Sequence, residues 1–269
     1  MKKAVFRDKV VVITGASAGI GLEMARRLAL QGARLVLAAR QPALLGKAAE
    51  ECRHLGAEAL AVPTDVSVRD DCRRLVESAV ESFGSIDMLV NNAGISMHAR
   101  FDELTDIDAA GKLININYLG SVWCTYYALP HLKKSRGRIV AVSSLTGKNG
   151  VPTRSLYAGS KHAMAGFFDS LRIELRSEGV SVTVAYPGFV ATDIAERAIG
   201  PDGGMLGSRP VVKSAVMSAG ECAELIIDAA ASRERELVMT LIARIGMLVK
   251  AFVPGLVDRV AERKVRRGR

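Results

Sequence analysis

Val10-Val11-Val12-Ile13-Thr14-Gly15-Ala16-Ser17-Ala18-Gly19-Ile20-Gly21 is the stretch that decides the fold. Its first four residues are β-branched, the composition of a strand buried on both faces of a parallel sheet. Leu22, Ala25, Leu28 and Ala29 then recur at helical spacing. The order is strand, glycine-rich turn, helix. The glycines permit a tight turn and a close backbone approach, and the helix N-terminus offers free N–H groups to a phosphate. Three residues separate Gly15 from Gly19, a departure from the common G-x-G-x-x-G. A glycine turn without a ligand is the alternative. The strand before and the helix after are the context a dinucleotide motif requires.

Outward from this unit the pattern repeats. Apolar runs at Val10–Ile13, Leu35–Ala38, Ala59–Val62, Met88–Val90, Arg138–Val142, Ser181–Ala185 and Leu237–Thr240 read as strands. Segments of helical length, such as Ser67–Ser82 and Ser155–Ser177, lie between them. That alternation predicts an α/β fold with a doubly wound, seven-stranded parallel sheet and helices on both faces. Ligands of such sheets bind at the carboxyl ends of the strands. The 269 residues read as one domain, with a core over about 8–240 and an apolar, basic extension over 241–269. The second strand ends at Ala39-Arg40. In Rossmann-like folds a carboxylate near this place holds a ribose 2′-hydroxyl, whereas an arginine accommodates a 2′-phosphate. Arg40 therefore points to NADP(H) over NAD(H).

Tyr157-Ala158-Gly159-Ser160-Lys161 places a phenol and an ammonium at i and i+4, on one helix face. Ser144 ends the apolar run Arg138–Ser144, thirteen residues before Tyr157. A nearby ammonium favours phenolate, so the spacing predicts a Tyr157 pKa lowered from the tyrosine reference of about 10. The pair with a neighbouring hydroxyl is a candidate general acid/base.

Taken together, these motifs resemble the short-chain dehydrogenase/reductase family. The resemblance rests on Thr14 to Gly21, Asp65-Val66, Asn91-Asn92-Ala93-Gly94, Asn117, Ser144, Tyr157 with Lys161, and Pro187-Gly188-Phe189-Val190-Ala191-Thr192, in that order over about residues 8–195. It implies that Tyr157 gives or takes the proton and that Ser144 holds the substrate oxygen. It implies that Lys161 binds the nicotinamide ribose, and that Asn117 holds a water joining Lys161 to solvent. It further implies cofactor contacts at Gly15, Ser17, Gly19, Ile20, Gly21, Arg40, Asp65, Val66, Asn91, Ala93, Gly94, Pro187, Gly188, Val190 and Thr192. A homodimer or homotetramer packed through long helices near 103–129 and 155–177 is also implied.

The remaining features set boundaries. Cys52, Cys72, Cys124 and Cys222 form no C-x-x-C pair, and His54, His98, His131 and His162 do not cluster, so neither a metal site nor a disulfide framework is expected. His98 reads as an ordinary loop residue. Met1-Lys2-Lys3 precedes a run needed as the first strand, unlike a signal peptide. Reduced thiols fit a cytoplasmic protein. The net charge of +9 is concentrated in Arg259, Arg263, Lys264, Arg266, Arg267 and Arg269 without a nucleic-acid motif, so nucleic acid is not an expected partner. Leu241–Val253 is apolar but too short and too charged to span a bilayer. It is suited to a pocket, a subunit interface or peripheral membrane contact. Gly200 to Pro210 reads as a mobile loop over the site, in which Met205 and Leu206 suggest a lipophilic pocket. The expected activity is hydride transfer between NADP(H) and a small-molecule carbonyl or secondary alcohol, of steroid, retinoid, long-chain or aromatic type. The rival is a non-catalytic NADP-binding sensor or scaffold on the same fold.

Overall fold

A computed structural model describes residues 5–207 and 216–266. Met1-Lys2-Lys3, the Ser208-Arg209-Pro210 end of the expected loop, and Arg267 and Arg269 lie outside the described residues, as do the side chains of Lys264 and Arg266. Alternating strands and helices run through the chain: β1 (Val10–Thr14), α1 (Gly19–Leu30), β2 (Arg34–Ala39), α2 (Pro42–His54), β3 (Ala59–Pro63), α3 (Arg69–Phe83) and β4 (Met88–Asn91). Then follow α4 (Ala109–Ile114), α5 (Gly120–Ser135), β5 (Arg138–Val142), α6 (Ser155–Glu174), β6 (Ser181–Tyr186), the two-residue strands β7 (Val190–Ala191) and β8 (Met217–Ser218), α7 (Ala219–Ala231) and β9 (Glu236–Val238). Two helices, α8 (Leu241–Phe252) and α9 (Pro254–Arg266), close the described chain.

Seven strands form one parallel sheet in the order β3-β2-β1-β4-β5-β6-β9. The side-chain period of two explains the β-branched runs. Val11 and Ile13 enter a core with α1, α2 and α7, while Val10 and Val12 enter a second core with α3, α5 and α6. A strand buried on both faces needs apolar residues at every position. The order changes direction between β1 and β4, where the Gly15 turn and the segment after Asn91 leave the sheet side by side.

Three expectations are corrected. The last strand is Glu236–Val238 rather than Leu237–Thr240, because the Thr240 hydroxyl accepts from the Ala243 N–H and caps α8. The expected helix over 103–129 is α4 and α5 joined by a π-turn at Asn115–Leu119, running on to Ser135. The turn after Ile199 is tied down, since Gly200 N–H donates to Gly204 O at 2.8 Å and Leu206 N–H to Ala198 O at 2.8 Å. Met205 there is 78% exposed, so it does not line a pocket. Among the described residues no helix is long and apolar enough to cross a membrane.

Candidate active site

The Gly-rich turn is held by hydrogen bonds across the β1–β4 junction. The Thr14 hydroxyl donates to Val90 O at 3.2 Å and accepts from the N–H groups of Asn92 and Ala93, both at 3.0 Å. The Asn92 amide donates back to Thr14 O at 2.9 Å and to Gly15 O at 3.2 Å. This closeness is why Gly15 and Gly21 lack side chains. A Cβ on Gly15 would stand 2.9 Å from the Ala93 Cα, and one on Gly21 would collide with the Gly15 carbonyl. Gly19 has a φ of +56°, and a Cβ there would meet Thr192 at 3.1 Å. Ala18 precedes α1 and supplies no side-chain cap. The first N–H groups of α1 are thus left for an anionic ligand. Ser17 and Ile20 lie half-buried on the same turn.

Further along the strand ends, Arg40 is exposed just past β2, and it has no hydrogen bond or ion pair among the described residues. Asp65 accepts from the Ser67 N–H at 2.9 Å and the Ser67 hydroxyl at 2.6 Å. Val66 is buried against Gly120, where a Cβ would lie 2.7 Å from the Val66 carbonyl oxygen. Asn91 donates to Thr125 at 3.0 Å, and its Oδ1 is buried without a partner among the described residues. An acceptor of this kind at a strand end is one a bound group satisfies.

Lys161 is only 3% exposed. Its ammonium donates to Val142 O, the last residue of β5, at 2.9 Å and lies 6.0 Å from the Tyr157 ring centroid. A Cβ on Gly94 would come within 3.4 Å of that ammonium and 3.0 Å of the Asn117 Oδ1. Gly94, Asn117 and Lys161 therefore converge. Asn117 sits in the π-turn, a helix irregularity common at functional sites. Its amide donates to Ile95 O at 3.0 Å and Ser160 Oγ at 2.9 Å, and its Oδ1 accepts from Ile95 N–H at 2.8 Å. Both amide protons are spent, so only carbonyl oxygen of Asn117 remains for a water.

Ser144 follows β5 and precedes a one-turn 3-10 helix, its hydroxyl accepting from Thr146 N–H at 3.2 Å. Leu145 N–H donates to Pro187 O at 2.9 Å, which ties this turn to the segment after β6. Pro187 is buried and Gly188 exposed, while Val190 and Thr192 are half-buried.

The expected Tyr157 pKa is overturned. Burial raises it from 10.0, and this outweighs the lowering by hydrogen bonding to Ser144, by the charge of Arg154 and by hydrogen bonding to Thr146. Lys161 is not among the groups that shift it; burial separately brings the Lys161 pKa down to about 8. The tyrosine is held as a neutral phenol beside a hydroxyl, a form suited to donating a proton.

Every expected site residue lies on the Gly-rich turn or at the carboxyl end of a strand or just past it, save Asn117, Tyr157 and Lys161, which helices bring in. Sequence reasoning missed Thr14 as the lock of the turn, Asn92 as its second strap, Ser160 as the link from Asn117 to α6, and Arg154. Thr14 and Asn92 stood inside motifs already recognised; the others needed three-dimensional contacts to be found. His98 is hydrogen-bonded, its Nδ1 3.3 Å from the Thr153 hydroxyl. Cys72 and Cys124, remote in sequence, meet as buried free thiols. Among the described residues no group of three or more His, Cys, Asp or Glu is placed to hold a metal.

The chain is similar to known proteins. The family described as "short chain dehydrogenase" matches residues 9–200. "11-beta-hydroxysteroid dehydrogenase-like 4A" of Arabidopsis thaliana is 46% identical over 183 residues, 68% of this chain and 61% of its own length, so the chain spans about three fifths of that relative. "11-beta-hydroxysteroid dehydrogenase-like 2" of the same plant is 37% identical over 93% of this chain and 79% of its length. A short chain dehydrogenase/reductase from Burkholderia phymatum in complex with NAD superposes with a TM-score of 0.84 at 27% identity, over 95% of this chain and 96% of that one. An alcohol dehydrogenase from the archaeon Thermococcus sibiricus complexed with 5-hydroxy-NADP gives 0.74 at 29% identity, over 85% and 94%.

Proposed function

The chain belongs to the short-chain dehydrogenase/reductase family, and from that membership we propose that it is an NADP(H)-dependent oxidoreductase acting on a carbonyl or secondary alcohol of lipophilic character. The observation that carries this is the convergence of Ser144, a neutral buried Tyr157 and Lys161 at the strand ends beside a glycine cradle. The residues fit a nicotinamide dinucleotide. The cradle is one that Cβ atoms would fill, α1 is uncapped, and the Asn91 Oδ1 is a buried acceptor without a partner. When bound, NADPH supplies the hydride.

The Gly15–Gly21 turn holds the pyrophosphate, with Ser17 and Ile20 beside it. Arg40 grips the 2′-phosphate, since no carboxylate stands at the end of β2 to repel it. Asp65 and Val66 flank the adenine, and Asn91, Ala93 and Gly94 line the middle of the groove. Pro187, Gly188, Val190 and Thr192 border the nicotinamide, while Lys161 orients its ribose. In reduction, the Tyr157 phenol gives its proton to the substrate oxygen and Ser144 donates a hydrogen bond to the same oxygen. Charge developing on that oxygen is thereby stabilised. Asn117 holds a water through its carbonyl oxygen and so refills the Lys161 side of the site with protons. The phenol is the proton donor in reduction, and its phenolate, disfavoured by burial, is the proton acceptor in oxidation. A lipophilic substrate is supported by the apolar cluster of Met97, Ala99, Ala109, Leu113 and Ile199 around Tyr157, and by relatives named for hydroxysteroids.

The proposal extends to partners. α8 and α9 present Leu241, Ile242, Leu248, Phe252 and Leu256 to solvent, with Ile242 82% and Phe252 84% exposed. Arg259 and Arg263 accompany them on α9. Apolar side chains edged by cations suit peripheral contact with an anionic lipid surface by a cytoplasmic protein. Self-association through α5 and α6 into a dimer or tetramer is part of the same reading.

Four outcomes test it. Tyr157→Phe should lower turnover at least about 100-fold and leave NADPH affinity within a few-fold of wild type by fluorescence titration; wild-type-like turnover refutes the assignment. Alcohol oxidation, which needs phenolate, should rise with pH through the alkaline range, while carbonyl reduction should not; parallel profiles count against Tyr157 as the proton carrier. Arg40→Asp should reduce the preference for NADPH over NADH by about ten- to a hundredfold, and an unchanged ratio removes the 2′-phosphate role. The protein should float with phosphatidylserine liposomes and lose that property when residues 241–269 are deleted; equal behaviour of both forms rules out the lipid contact.

A further inference from the structure

The turn that leads into α6 carries a cation that the hydride-transfer scheme does not use. Arg154 immediately precedes α6, three positions before Tyr157. Its guanidinium carbon lies 5.7 Å from the centroid of the Phe189 ring. Phe189 belongs to the Pro187-Gly188-Phe189 segment after β6, the segment tied to the Ser144 turn by the Leu145–Pro187 hydrogen bond. Arg154 thus links the start of the Tyr157 helix to the strand-end loop after β6.

Stacking on Phe189 uses one face of the guanidinium. Its five N–H donors lie in the plane, at the edge. Among the described residues none of these donors has an acceptor, and no carboxylate is paired with them. The stretches 1–4, 208–215 and 267–269 contain no Asp or Glu that could serve instead. The cation is half-buried, which lowers its pKa, with a smaller opposing effect from Tyr157. Arginine cannot shed its proton to escape that cost. A charge removed from water without a counter-charge is unfavourable, and it is tolerated where a ligand supplies the partner.

The backbone holds Arg154 in this place at some expense. Thr153, a β-branched residue, has a φ of +69°, in the left-handed region. Its hydroxyl meets His98 Nδ1 at 3.3 Å, and its carbonyl accepts the Ala99 N–H at 3.0 Å. The 95–99 segment beside the cleft therefore clamps the turn that aims Arg154. Strain maintained by surrounding hydrogen bonds is concentrated at ligand-binding positions.

We propose that Arg154 is the specificity-determining residue of the substrate cleft, binding a carboxylate that the substrate carries beside the carbon that reacts at Tyr157. The substrate class is then an amphipathic oxo acid or hydroxy acid, with its apolar body against Phe189 and the cluster around Tyr157 and its acidic end on the guanidinium. The inference rests on the Tyr157 cleft being the substrate site.

The test uses a series of oxo fatty acids with the keto group at successive positions, each paired with its methyl ester. Binding is measured by calorimetry on the full-length protein saturated with NADPH, and turnover is followed by nicotinamide absorbance. At least one acid should bind wild type about tenfold or more tightly than its ester. Arg154→Met should abolish that preference by raising the acid's KM with a smaller change in kcat, and Arg154→Lys should retain part of it. Arg154→Gln provides a second neutral variant if the methionine form does not fold. Esters that bind as tightly as their acids throughout, acids that do not bind at all, or an acid preference that survives loss of the guanidinium overturn the carboxylate site. If acids bind selectively but neither series turns over, the carboxylate site stands and the catalytic reading fails. If esters are reduced as well as acids, the catalytic reading stands and the carboxylate site fails.

Discussion

A lysine ammonium kept from water at the carboxyl edge of a parallel sheet is the constraint around which this site is organised. Lys161 donates to the carbonyl of Val142 at the end of β5 at 2.9 Å and more weakly to the Met164 thioether at 3.9 Å. The bond to Val142 pins α6 to the sheet and fixes the helix face on which Tyr157 stands. Ser143 adds a second tie, its hydroxyl donating to Lys161 O at 3.2 Å. Burial of the ammonium costs free energy, visible in its pKa of about 8. The cost is sustained because the surrounding groups are rigid: the π-turn fixes Asn117, Asn117 fixes Ile95 and Ser160, and Ser160 donates to Tyr157 O at 2.8 Å. The bonds run as a chain from Ile95 through Asn117 and Ser160 to the Tyr157 carbonyl, the kind of linkage that preorganises a reactive centre.

The nucleotide side obeys a different constraint, close approach of backbone to backbone. One threonine hydroxyl satisfies two N–H groups and a carbonyl where β1 and β4 end. This brings the Gly15 turn so near Ala93 that no side chain fits at Gly15 or Gly21. The cradle and the Lys161 network lie on neighbouring strand ends of the same sheet. The order β3-β2-β1-β4-β5-β6-β9 sets the strand ends at or just before Arg40, Gly15, Asn91, Ser144 and Pro187 along one edge, and Thr192, just past β7 of the separate two-stranded sheet, lies against Gly19.

Much of this was legible in the residues alone, because the determinants are local. Runs such as Val10–Ile13 and Arg138–Val142 can only be doubly buried strands, and the glycines of Gly15–Gly21 signal tight approach at a known place in a strand–helix unit. What could not be read was whatever depends on burial or on distant contacts. The Tyr157–Lys161 spacing suggested a lowered phenol pKa, yet burial of the phenol itself outweighs its polar neighbours and raises it. Asn115–Leu119 has no composition that distinguishes a π-turn from continued α-helix. Met205 is apolar in sequence but sits on a turn whose backbone bonds direct it to solvent. Nothing in the sequence around Arg154 marks it, because its contact with Phe189 joins residues far apart along the chain.

The most direct measurement of the central claim is a crystal structure of the protein with NADPH bound. The account predicts the nicotinamide between Thr192 and Tyr157, with the Lys161 ammonium turned to the ribose hydroxyls and the phenol facing the reactive side of the ring. A nicotinamide seated away from Tyr157, or a Lys161 that makes no contact with the ribose, would contradict it.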